Sequence, residues 1–528
     1  MPGAAMVERN TIVRGGNATK GGPIAALCRS YPANLLATIT LLVHLIFNNR
    51  YGVFSDELYF MVCGQHTAMG YVDQPPLVPL IAGLSHAWFG TALLPLRLMP
   101  ALAMSTTVGL TAEFARALGG GRFGQWLSGL TILFGGVFLV DGLLLVTDML
   151  QPLTWLACGW CLLRIAQTNN QRWWLAFGAI VGVSLLSKYL ILFFLAGLAV
   201  GVIATPLRRS LSARWLYLGA VIALVIASPS VIWQAMHGWP FLELGQTAMN
   251  GKNLRLTPLA FLGQQVLFVG PAAAPVWIAG LWRFSAKPGL AELRAFPIAY
   301  ALMAVIFLTL HGKAYYIAPI YPILLAGGAV AIEDWLAWKP LRAIALAAVS
   351  GVGMLLAPLA LPILPPDKYA PYARALGIPA GAAATERFTP SPLPTHLAGM
   401  FGWPEMATKV AAVYNALPQD QRARAVFYGR DYGEASALEI YGPTLHGPPV
   451  IAGHNNYYLW GPKGFDGSVV IVLDGDVTPL MNNYTSVQVV GHIDSPFAES
   501  YEAHMPIYLL RGPRVPLQTL WPKLKHYE

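Results

Sequence analysis

Long runs of apolar residues alternate with short polar segments over the first two thirds of the chain. A membrane-spanning helix needs about 20 mostly apolar residues, and the sequence holds about eleven such runs. They lie near residues 31 to 47, 93 to 113, 124 to 140, 143 to 163, 173 to 187, 189 to 205, 214 to 233, 258 to 282, 296 to 310, 315 to 332 and 341 to 364. A further run at 77 to 90 is too short to span and predicts a re-entrant segment or the start of the second helix. The pattern predicts a multi-pass α-helical membrane protein with about 11 to 13 transmembrane helices.

After residue 366 the pattern changes to short apolar runs bounded by Gly, Pro, Asn and Asp, which is typical of strands. The predicted strands are 425 to 429, 449 to 453, 469 to 473, 487 to 491 and 506 to 510. Helical spacing between them, at 404 to 416 and 433 to 441, completes a small α/β domain. The predicted parts are an N-terminal tail (1–30), a transmembrane domain (31–366) whose first outer loop is 48–76, and the α/β domain (367–528).

Composition supports the membrane prediction and removes one class of function. Of 528 residues, 55% are hydrophobic and only 11% charged, with a mean hydropathy of +0.52, whereas an ordinary soluble chain has about 25% charged residues. The net charge of +9 does not indicate nucleic-acid binding, because the basic excess lies among the apolar segments: 22 basic and 11 acidic residues precede Asp367, and 12 basic and 14 acidic residues lie from Asp367 onward. Four cysteines, none after Cys161, provide no disulfide framework.

Basic residues predict the orientation of the chain. Sixteen lie in alternate loops of the apolar region, and the remaining loops and helix ends hold six. Since basic residues concentrate on the cytoplasmic side, the N-terminus is expected in the cytoplasm and, with an odd number of spans, the C-terminal domain in the periplasm. The first 30 residues lack a cleavable signal, so the first helix is expected to act as a signal-anchor. The six outward basic residues are Arg50, Arg97, Lys188, Lys252, Arg255 and Lys313.

Five acidic residues between the first and fourth spans face the predicted outer side, and such residues at a membrane boundary indicate a functional site. They are Asp56, Glu57, Asp73, Asp141 and Asp148. Ser55 with the two acids that follow predicts a helix start with Ser55 as N-cap, on an amphipathic helix along the interface. Helix capping alone would also explain Asp56 and Glu57. Asp73 precedes Gln74 and a Pro75-Pro76 pair, a rigid turn that would fix its carboxylate.

The loop DELYF…GYVDQPPL resembles the first external loop of the polyprenyl-phosphate-sugar-dependent glycosyltransferases of the GT-C fold. This group includes protein O-mannosyltransferases and the lipid A aminoarabinose transferase. The similarity extends through VTDMLQPLTW (146 to 155), LLSKY (185 to 189), GKAYYIAPIYPILLAGGA (312 to 329), DYGEASALEIYG (431 to 442) and HNNYYLWGP (454 to 462). The chain thus resembles the bacterial branch known as glycosyltransferase family 39.

The resemblance implies roles for particular residues. Asp56 matches the acidic residue treated as catalytic in these enzymes. Asp73 and Gln74 fall where the aminoarabinose transferase carries an acid followed by a lysine proposed to meet the donor phosphate. Because this position is Gln74 here, another cation has to serve. Asp148 matches an outer-side acid at the corresponding helix end, although capping of that helix explains it as well.

Sugar transfer from a lipid phosphate requires a base for the acceptor hydroxyl and a cation for the departing phosphate. The predicted catalytic residues are Asp56, Asp73 and Glu57, with Asp56 as base and Asp73 orienting the acceptor or acting as the alternative base. The predicted substrate-binding residues are Asp148, Lys188, Lys313, Tyr315, Gln74 and Tyr458. Among these, Lys188 and Lys313 are the expected phosphate ligands.

Several of these residues have a structural alternative. An ion pair with Asp148 would explain Lys188 equally well. Lys313 beside Tyr315 could anchor the chain at the membrane interface. Tyr458 could stack on a sugar, but aromatic residues at a strand end also pack into cores.

The chemistry is expected to be metal-free, without a cofactor, although Asp56, Asp73 and Asp148 could hold Mg²⁺ or Mn²⁺ through oxygen ligands. The sequence thus predicts an inner-membrane glycosyltransferase that moves a sugar from a polyprenyl (undecaprenyl) phosphate to a lipid, glycan or protein acceptor on the periplasmic face. Inversion at the anomeric carbon is implied by the resemblance. The alternative is a transporter or lipid flippase; the acids cluster at one face rather than near mid-membrane, which favours the enzyme.

Overall fold

The structure is a computed structural model that describes residues 31–379, 381–387, 391–473 and 478–528. Helices account for nearly all regular structure before residue 376. They are α1 (Tyr31–Phe47), α2 (Ser55–Gln65), α3 (Leu77–Phe89), α4 (Leu98–Ala117), α5 (Arg122–Leu133), α6 (Gly136–Leu143), α7 (Gln151–Thr168), α8 (Trp173–Ser187), α9 (Ile191–Ala204), α10 (Arg214–Met236), α11 (Pro240–Thr247), α12 (Pro258–Val269), α13 (Ala274–Ala286), α14 (Ala295–Thr309), α15 (Tyr321–Trp335), α16 (Lys339–Ala360) and α17 (Pro366–Ala375).

The chain is a membrane protein. Within the described part, four helical segments are long and apolar enough to cross a bilayer, and seven if each of three bent helix pairs counts as one span. Shorter apolar helices are α1, α3 and α8. The predicted total of 11 to 13 spans, and the side on which each loop lies, stay predictions. The four long segments are Arg214–Met236, Ala291–Thr309, Ala314–Trp335 and Lys339–Ala360.

Three apolar runs that the sequence pattern treats as continuous are interrupted. Helices α5 and α6 meet at 64°, and α12 and the helix that continues after Pro271 meet at 100°. The second break follows from Gly270, which has φ +104°, and from Pro271, which cannot donate a backbone hydrogen bond. The predicted run 143 to 163 becomes helical only at Gln151, because residues 144 to 150 form a turn.

Small residues bring the helices into close contact. Gly197 and Gly201 of α9 face Ala299 and Ala295 of α14, and an added Cβ on either glycine would overlap the facing alanine. The spacing of four residues on both helices is the small-xxx-small pattern by which membrane helices pack backbone against backbone.

A five-stranded mixed sheet forms the centre of the C-terminal part. Its order is β2-β1-β3-β5-β4, with β1 parallel to β2 and β3, and β5 antiparallel to β3 and β4. All five predicted strands are confirmed, and so are the two predicted helices, of which the first precedes β1 and the second lies between β1 and β2. The strands are β1 (Ala425–Gly429), β2 (Val450–Ala452), β3 (Val469–Leu473), β4 (Tyr484–Asp494) and β5 (His504–Pro513). The helices of this part are α18 (Trp403–Asn415), α19 (Tyr432–Tyr441), α20 (Asn455–Trp460) and α21 (Leu517–Leu524).

Helix α2, in the first outer loop, differs from its prediction. The helix begins at Ser55 with Phe54 as N-cap, and the Phe54 N–H donates to the carboxylate of Glu57 at 2.9 Å. Every residue from Glu57 to Cys63 is buried, so the helix is not an amphipathic surface helix. Its apolar residues share one core with those of α19 and the sheet. The first outer loop is therefore packed into the C-terminal domain.

Candidate active site

A cavity of about 1800 Å³ lies between the helical region and the C-terminal domain. Its walls come from the start of α2, the α5–α6 break, α11 and the π-helical turn that follows it (Ala248–Lys252), residues 313 to 316, the segment 381 to 386 and the C-terminal domain. The lining includes both apolar and charged side chains. Ionisable residues on the wall include Asp56, Asp141, Asp148, Lys188, Lys252, Lys313, Glu386, Arg430, Asp431, Tyr432, His454, Glu499 and Glu502.

Asp56 is placed on the cavity wall by the first turn of α2. Its Oδ1 accepts a hydrogen bond from the Tyr432 hydroxyl at 2.9 Å. Within the described part of the chain, no hydrogen bond to Oδ2 is recorded. Burial raises the pKa of Asp56, and the Tyr432 hydrogen bond and the charges of Lys252 and Lys313 oppose that rise. Asp56 therefore has one fixed oxygen and one available for a ligand.

Asp73 lies behind Asp56 and is not part of the cavity wall. Its Oδ1 accepts a hydrogen bond from the Tyr59 hydroxyl at 3.0 Å, and the Tyr59 ring stacks on Tyr432 with centroids 4.6 Å apart. Burial raises the pKa of Asp73 to about 7, with a further contribution from the charge of Asp56. A stacked tyrosine pair therefore lies between the two aspartates, each tyrosine donating a hydrogen bond to one of them.

Glu57 points away from the cavity into a buried ion pair. Its carboxylate accepts hydrogen bonds from Arg97 Nε and Nη2 at 2.9 and 2.8 Å and from the Leu145 N–H at 3.0 Å. Arg97 also donates to the carbonyl groups of Asn48 and Gly52. Both side chains are completely buried. This geometry favours a structural role for Glu57 over the predicted catalytic role.

The two lysines expected to bind phosphate both line the cavity, and both are paired. Lys188 donates to Asp148 at 2.6 Å and lies 5.0 Å from the centroid of the Tyr316 ring. Lys313 pairs with Glu386. Asp148 thus belongs to the ion pair that the sequence left open as the alternative. A free phosphate ligand has to be sought elsewhere on the wall.

Lys252 is such a group. It lines the cavity from the turn after α11, and no salt bridge involving its ammonium is recorded in the described regions. Its charge acts on Asp56, Asp73 and Glu499. The backbone of this turn is fixed, because the Arg387 N–H donates to the Lys252 carbonyl at 3.0 Å.

The remaining predicted ligands divide between the wall and the protein interior. Tyr315 lines the cavity, and the centroid of its ring lies 5.9 Å from Lys313 Nζ. Gln74 is buried away from the cavity, with Nε2 3.9 Å from the Cys63 sulfur. Tyr458 stacks on Trp521 within the C-terminal domain, so the structure favours the packing alternative for it.

Three cavity residues were missed as site residues by sequence reasoning: Lys252, Tyr432 and Glu499. From the sequence, Lys252 could also meet phosphate, but exposed basic residues beside anionic lipids need no catalytic reason. Tyr432 was noted only as part of a motif. Glu499 lies outside the sequence motifs quoted above, but burial raises its pKa to about 8. Because Tyr432 and Glu499 are far from Asp56 in sequence, only the folded chain brings them together.

Asp56, Asp73 and Asp148, the three predicted ligands of a divalent ion, do not lie close enough together to share one ion. Among the described residues, one group of three candidate ligands lies close enough, His454, His526 and Glu528. The two ring nitrogens of His526 lie 3.0 Å from the carbonyl oxygens of Leu524 and Arg430, and His454 Nδ1 accepts the Tyr432 N–H at 3.1 Å. His454 Nε2 lies 3.3 Å from the Glu528 carbonyl oxygen, so all four ring nitrogens have a hydrogen-bonding partner, which favours a structural role for the group.

Parts of the chain are similar in sequence to known sugar transferases. The model of the family described as dolichyl-phosphate-mannose-protein mannosyltransferase matches residues 73–233. Lipid A galacturonosyltransferase RgtD from Rhizobium johnstonii is 26% identical over 234 residues, 43% of this chain and 48% of that protein. The match thus spans about half the length of the curated relative.

Two solved structures share the fold over nearly the whole chain. ArnT from Cupriavidus metallidurans bound to undecaprenyl phosphate gives a TM-score of 0.60 at 16% identity, covering 91% of this chain and 98% of ArnT. The apo state of the same protein gives a TM-score of 0.58 at 16% identity, covering 93% of this chain and 100% of ArnT. The chain has the GT-C fold, and its resemblance to GT-C glycosyltransferases is confirmed.

Proposed function

We propose that the protein is a membrane glycosyltransferase that moves a sugar from a polyprenyl phosphate to a hydroxyl acceptor at the outer, periplasmic face of the inner membrane. The observation that carries this proposal is the cavity itself, where an available Asp56 oxygen and an unpaired lysine share one space with an apolar wall. The likeness to ArnT, whose structure holds undecaprenyl phosphate, supports the donor class.

The apolar part of the cavity lining suits a polyprenyl chain. It is formed by side chains of the α5–α6 break, α12 and α16, including Phe134, Val140, Leu144, Phe268 and Leu356. These helices belong to the membrane region, so a lipid tail among them would stay in an apolar environment. The volume exceeds the roughly 300 to 1,000 Å³ of most small-molecule pockets, which fits a donor and an acceptor bound together.

In the proposed reaction, Asp56 Oδ2 takes the proton of the acceptor hydroxyl as its oxygen attacks the anomeric carbon of the donor sugar. The bond between that carbon and the phosphate oxygen breaks, and the phosphate leaves with the electron pair. A single displacement of this kind inverts the anomeric carbon. The lipid phosphate is the second product.

Lys252 is the proposed ligand of the departing phosphate. Lys188 and Lys313 already have carboxylate partners, and their proposed role is to keep the cavity wall in place while contributing positive potential. Gln74, which lacks a charge and lies outside the cavity, has no role in this scheme. The sugar and the acceptor stay open.

The test is a transfer assay with purified protein and a panel of polyprenyl-phosphate sugars, read by mass spectrometry for transferred or hydrolysed sugar. Asp56→Asn is expected to reduce the rate by a factor of about 100 or more, in the range for loss of a general base. Asp420→Asn, on the exposed surface of the C-terminal domain, is the matched control and should retain the parental rate. Transfer by Asp56→Asn at the parental rate would rule out Asp56 as the base.

The proposed role of Lys252 as the phosphate ligand is tested by measuring the affinity of the protein for the lipid-phosphate sugar. Lys252→Ala is expected to weaken binding of the lipid-phosphate sugar about tenfold, whereas Lys409→Ala, on an exposed helical face, should leave it unchanged. Unaltered donor affinity in Lys252→Ala would exclude the phosphate role of this residue.

A further inference from the structure

The C-terminal domain places one side chain directly on the candidate base. Tyr432 is the first residue of α19, and its hydroxyl donates a hydrogen bond to Asp56 Oδ1 at 2.9 Å. The sequence separation is 376 residues. The hydrogen bond therefore exists only when the C-terminal domain is folded against the first outer loop.

Three contacts hold the Tyr432 side chain and backbone in this position. Its backbone N–H donates to His454 Nδ1 at 3.1 Å. Its ring stacks on Tyr59 at 4.6 Å and packs against His454 at 4.9 Å between centroids. Asp431, the N-cap residue of α19, fixes the helix start by accepting the Glu434 N–H at 2.9 Å. A tyrosine held at the backbone and on the ring has little freedom to leave Asp56.

The direction of the hydrogen bond is set by chemistry. Burial and the neighbouring Asp56 charge both raise the pKa of Tyr432, so its phenol keeps its proton and donates. A donated hydrogen bond stabilises the ionised carboxylate of Asp56. It also orients the group, since Oδ1 is held by Tyr432 and Asp56 lines the cavity.

We propose that Tyr432 is a positioning residue for Asp56, by which the C-terminal domain completes the active site. This inference rests on the proposed function, in which Asp56 is the base. Tyr432 acts through Asp56 and takes no proton itself. The other groups whose charge or ionisation bears on Asp56 are Asp73, Lys252, Lys313, Glu386 and Glu499.

Tyr432→Phe removes the hydroxyl and keeps the ring that stacks on Tyr59. We expect kcat to fall about tenfold or more, the usual effect of one hydrogen bond to a charged group, with the KM for the lipid donor little changed. The acid limb of the pH profile should move to higher pH, because the ionised form of Asp56 has lost a donor. Tyr432→Phe on top of Asp56→Asn should add no further loss.

Tyr457→Phe is the matched control. Tyr457 is a buried tyrosine of the same domain whose hydroxyl also donates to a carboxylate, Glu439, at 2.8 Å. It is not on the cavity wall. The variant should keep the parental kcat and pH profile, so a shift confined to Tyr432→Phe excludes a general effect of losing a buried hydroxyl.

A second measurement does not depend on transfer. Carbodiimides modify protonated carboxyl groups, so the pH at which Asp56 becomes labelled can be followed by peptide mass spectrometry. The labelling midpoint should rise in Tyr432→Phe and fall when 3-fluorotyrosine, a more acidic phenol, replaces Tyr432. An unchanged midpoint in both proteins, or a parental kcat in Tyr432→Phe, would overturn the proposal. Parent protein that transfers no sugar yet shows the midpoint shifts would refute the proposed function and retain the Tyr432–Asp56 link.

Discussion

Asp56 and Glu57 are neighbours in sequence with opposite environments. A helix turns about 100° per residue, so consecutive side chains face different directions. Asp56 faces the cavity, and Glu57 faces Arg97 in the protein interior. The sequence identifies both as acids at a helix start, but only the fold shows which one has a free oxygen.

The raised pKa of Asp56 predicts the pH dependence of the proposed transfer. A base works when ionised, so activity should be lost as pH falls through the Asp56 pKa, at a pH above the ordinary aspartate value of about 3.9. We expect kcat/KM against pH to show this acid limb and to keep it in Asp73→Asn, because a carboxyl group with a pKa of about 7 is already protonated and uncharged at the acid pH where the limb falls. If Asp73 were the base, the limb would lie near its own pKa, about 7, and would vanish in Asp73→Asn.

Glu57→Gln should lower the stability of the protein and leave the rate of sugar transfer unchanged. Removing one charge leaves Arg97 buried without its counter-ion, which costs about 3 kcal/mol in the free energy of unfolding. Thermal unfolding in detergent would measure the loss. Glu405→Gln, which breaks an exposed ion pair with Lys409, should cost about 0.5 kcal/mol at most. A Glu57→Gln protein that is as stable as the parent but inactive would restore the catalytic role.

At the scale of elements, the five strands were predictable because each is a short apolar run between turn residues. The helix breaks were harder to predict. Hydropathy reports how apolar a segment is, and the 64° bend between α5 and α6 leaves that average unchanged. Helix α2 was predicted as an interface helix, because a sequence pattern cannot show that a distant domain covers its other side.

Close packing of α9 on α14 gives an element-scale prediction. Gly201→Leu should force the two helices apart and cost about 1 to 3 kcal/mol or more, seen as a lower unfolding temperature and a lower yield of folded protein. Gly351→Leu, in α16 where an added Cβ meets no atom within 4 Å, is the control and should have little effect. Equal stability of the two variants would contradict close packing at Gly201.

At the scale of the molecule, the two regions share an interface built from the first outer loop. Asn456 Oδ1 accepts the Val72 N–H at 2.6 Å, and the Asn456 N–H donates to the Tyr59 hydroxyl at 3.3 Å. On the far side of the cavity, Lys525 pairs with Glu243 at 2.7 Å. Sequence motifs pointed to the fold and donor class, but these contacts join residues hundreds of positions apart and could not be derived from spacing.

Asn456→Ala should loosen this interface. The Val72 N–H would stay buried without a partner, a cost of about 1 to 3 kcal/mol. Limited proteolysis should then cleave between α17 and α18 faster than in the parent. The control is Asn415→Ala, because the Asn415 side-chain amide donates to the Leu445 carbonyl within the C-terminal domain. This variant should be cleaved at the parental rate. Equal cleavage rates for the two variants would argue against an interface contact at Asn456.

The hydrogen bond between Tyr432 and Asp56 can form only late in the synthesis of the chain. A ribosome delivers the chain from its N-terminus, so Asp56 enters the membrane region well before Tyr432 has been translated. Until the late segment arrives and folds, the nascent protein carries an acid without its aligning hydroxyl. Half-made molecules would also lack the part of the cavity wall that the C-terminal domain supplies, so full transfer activity is expected only after that domain has folded.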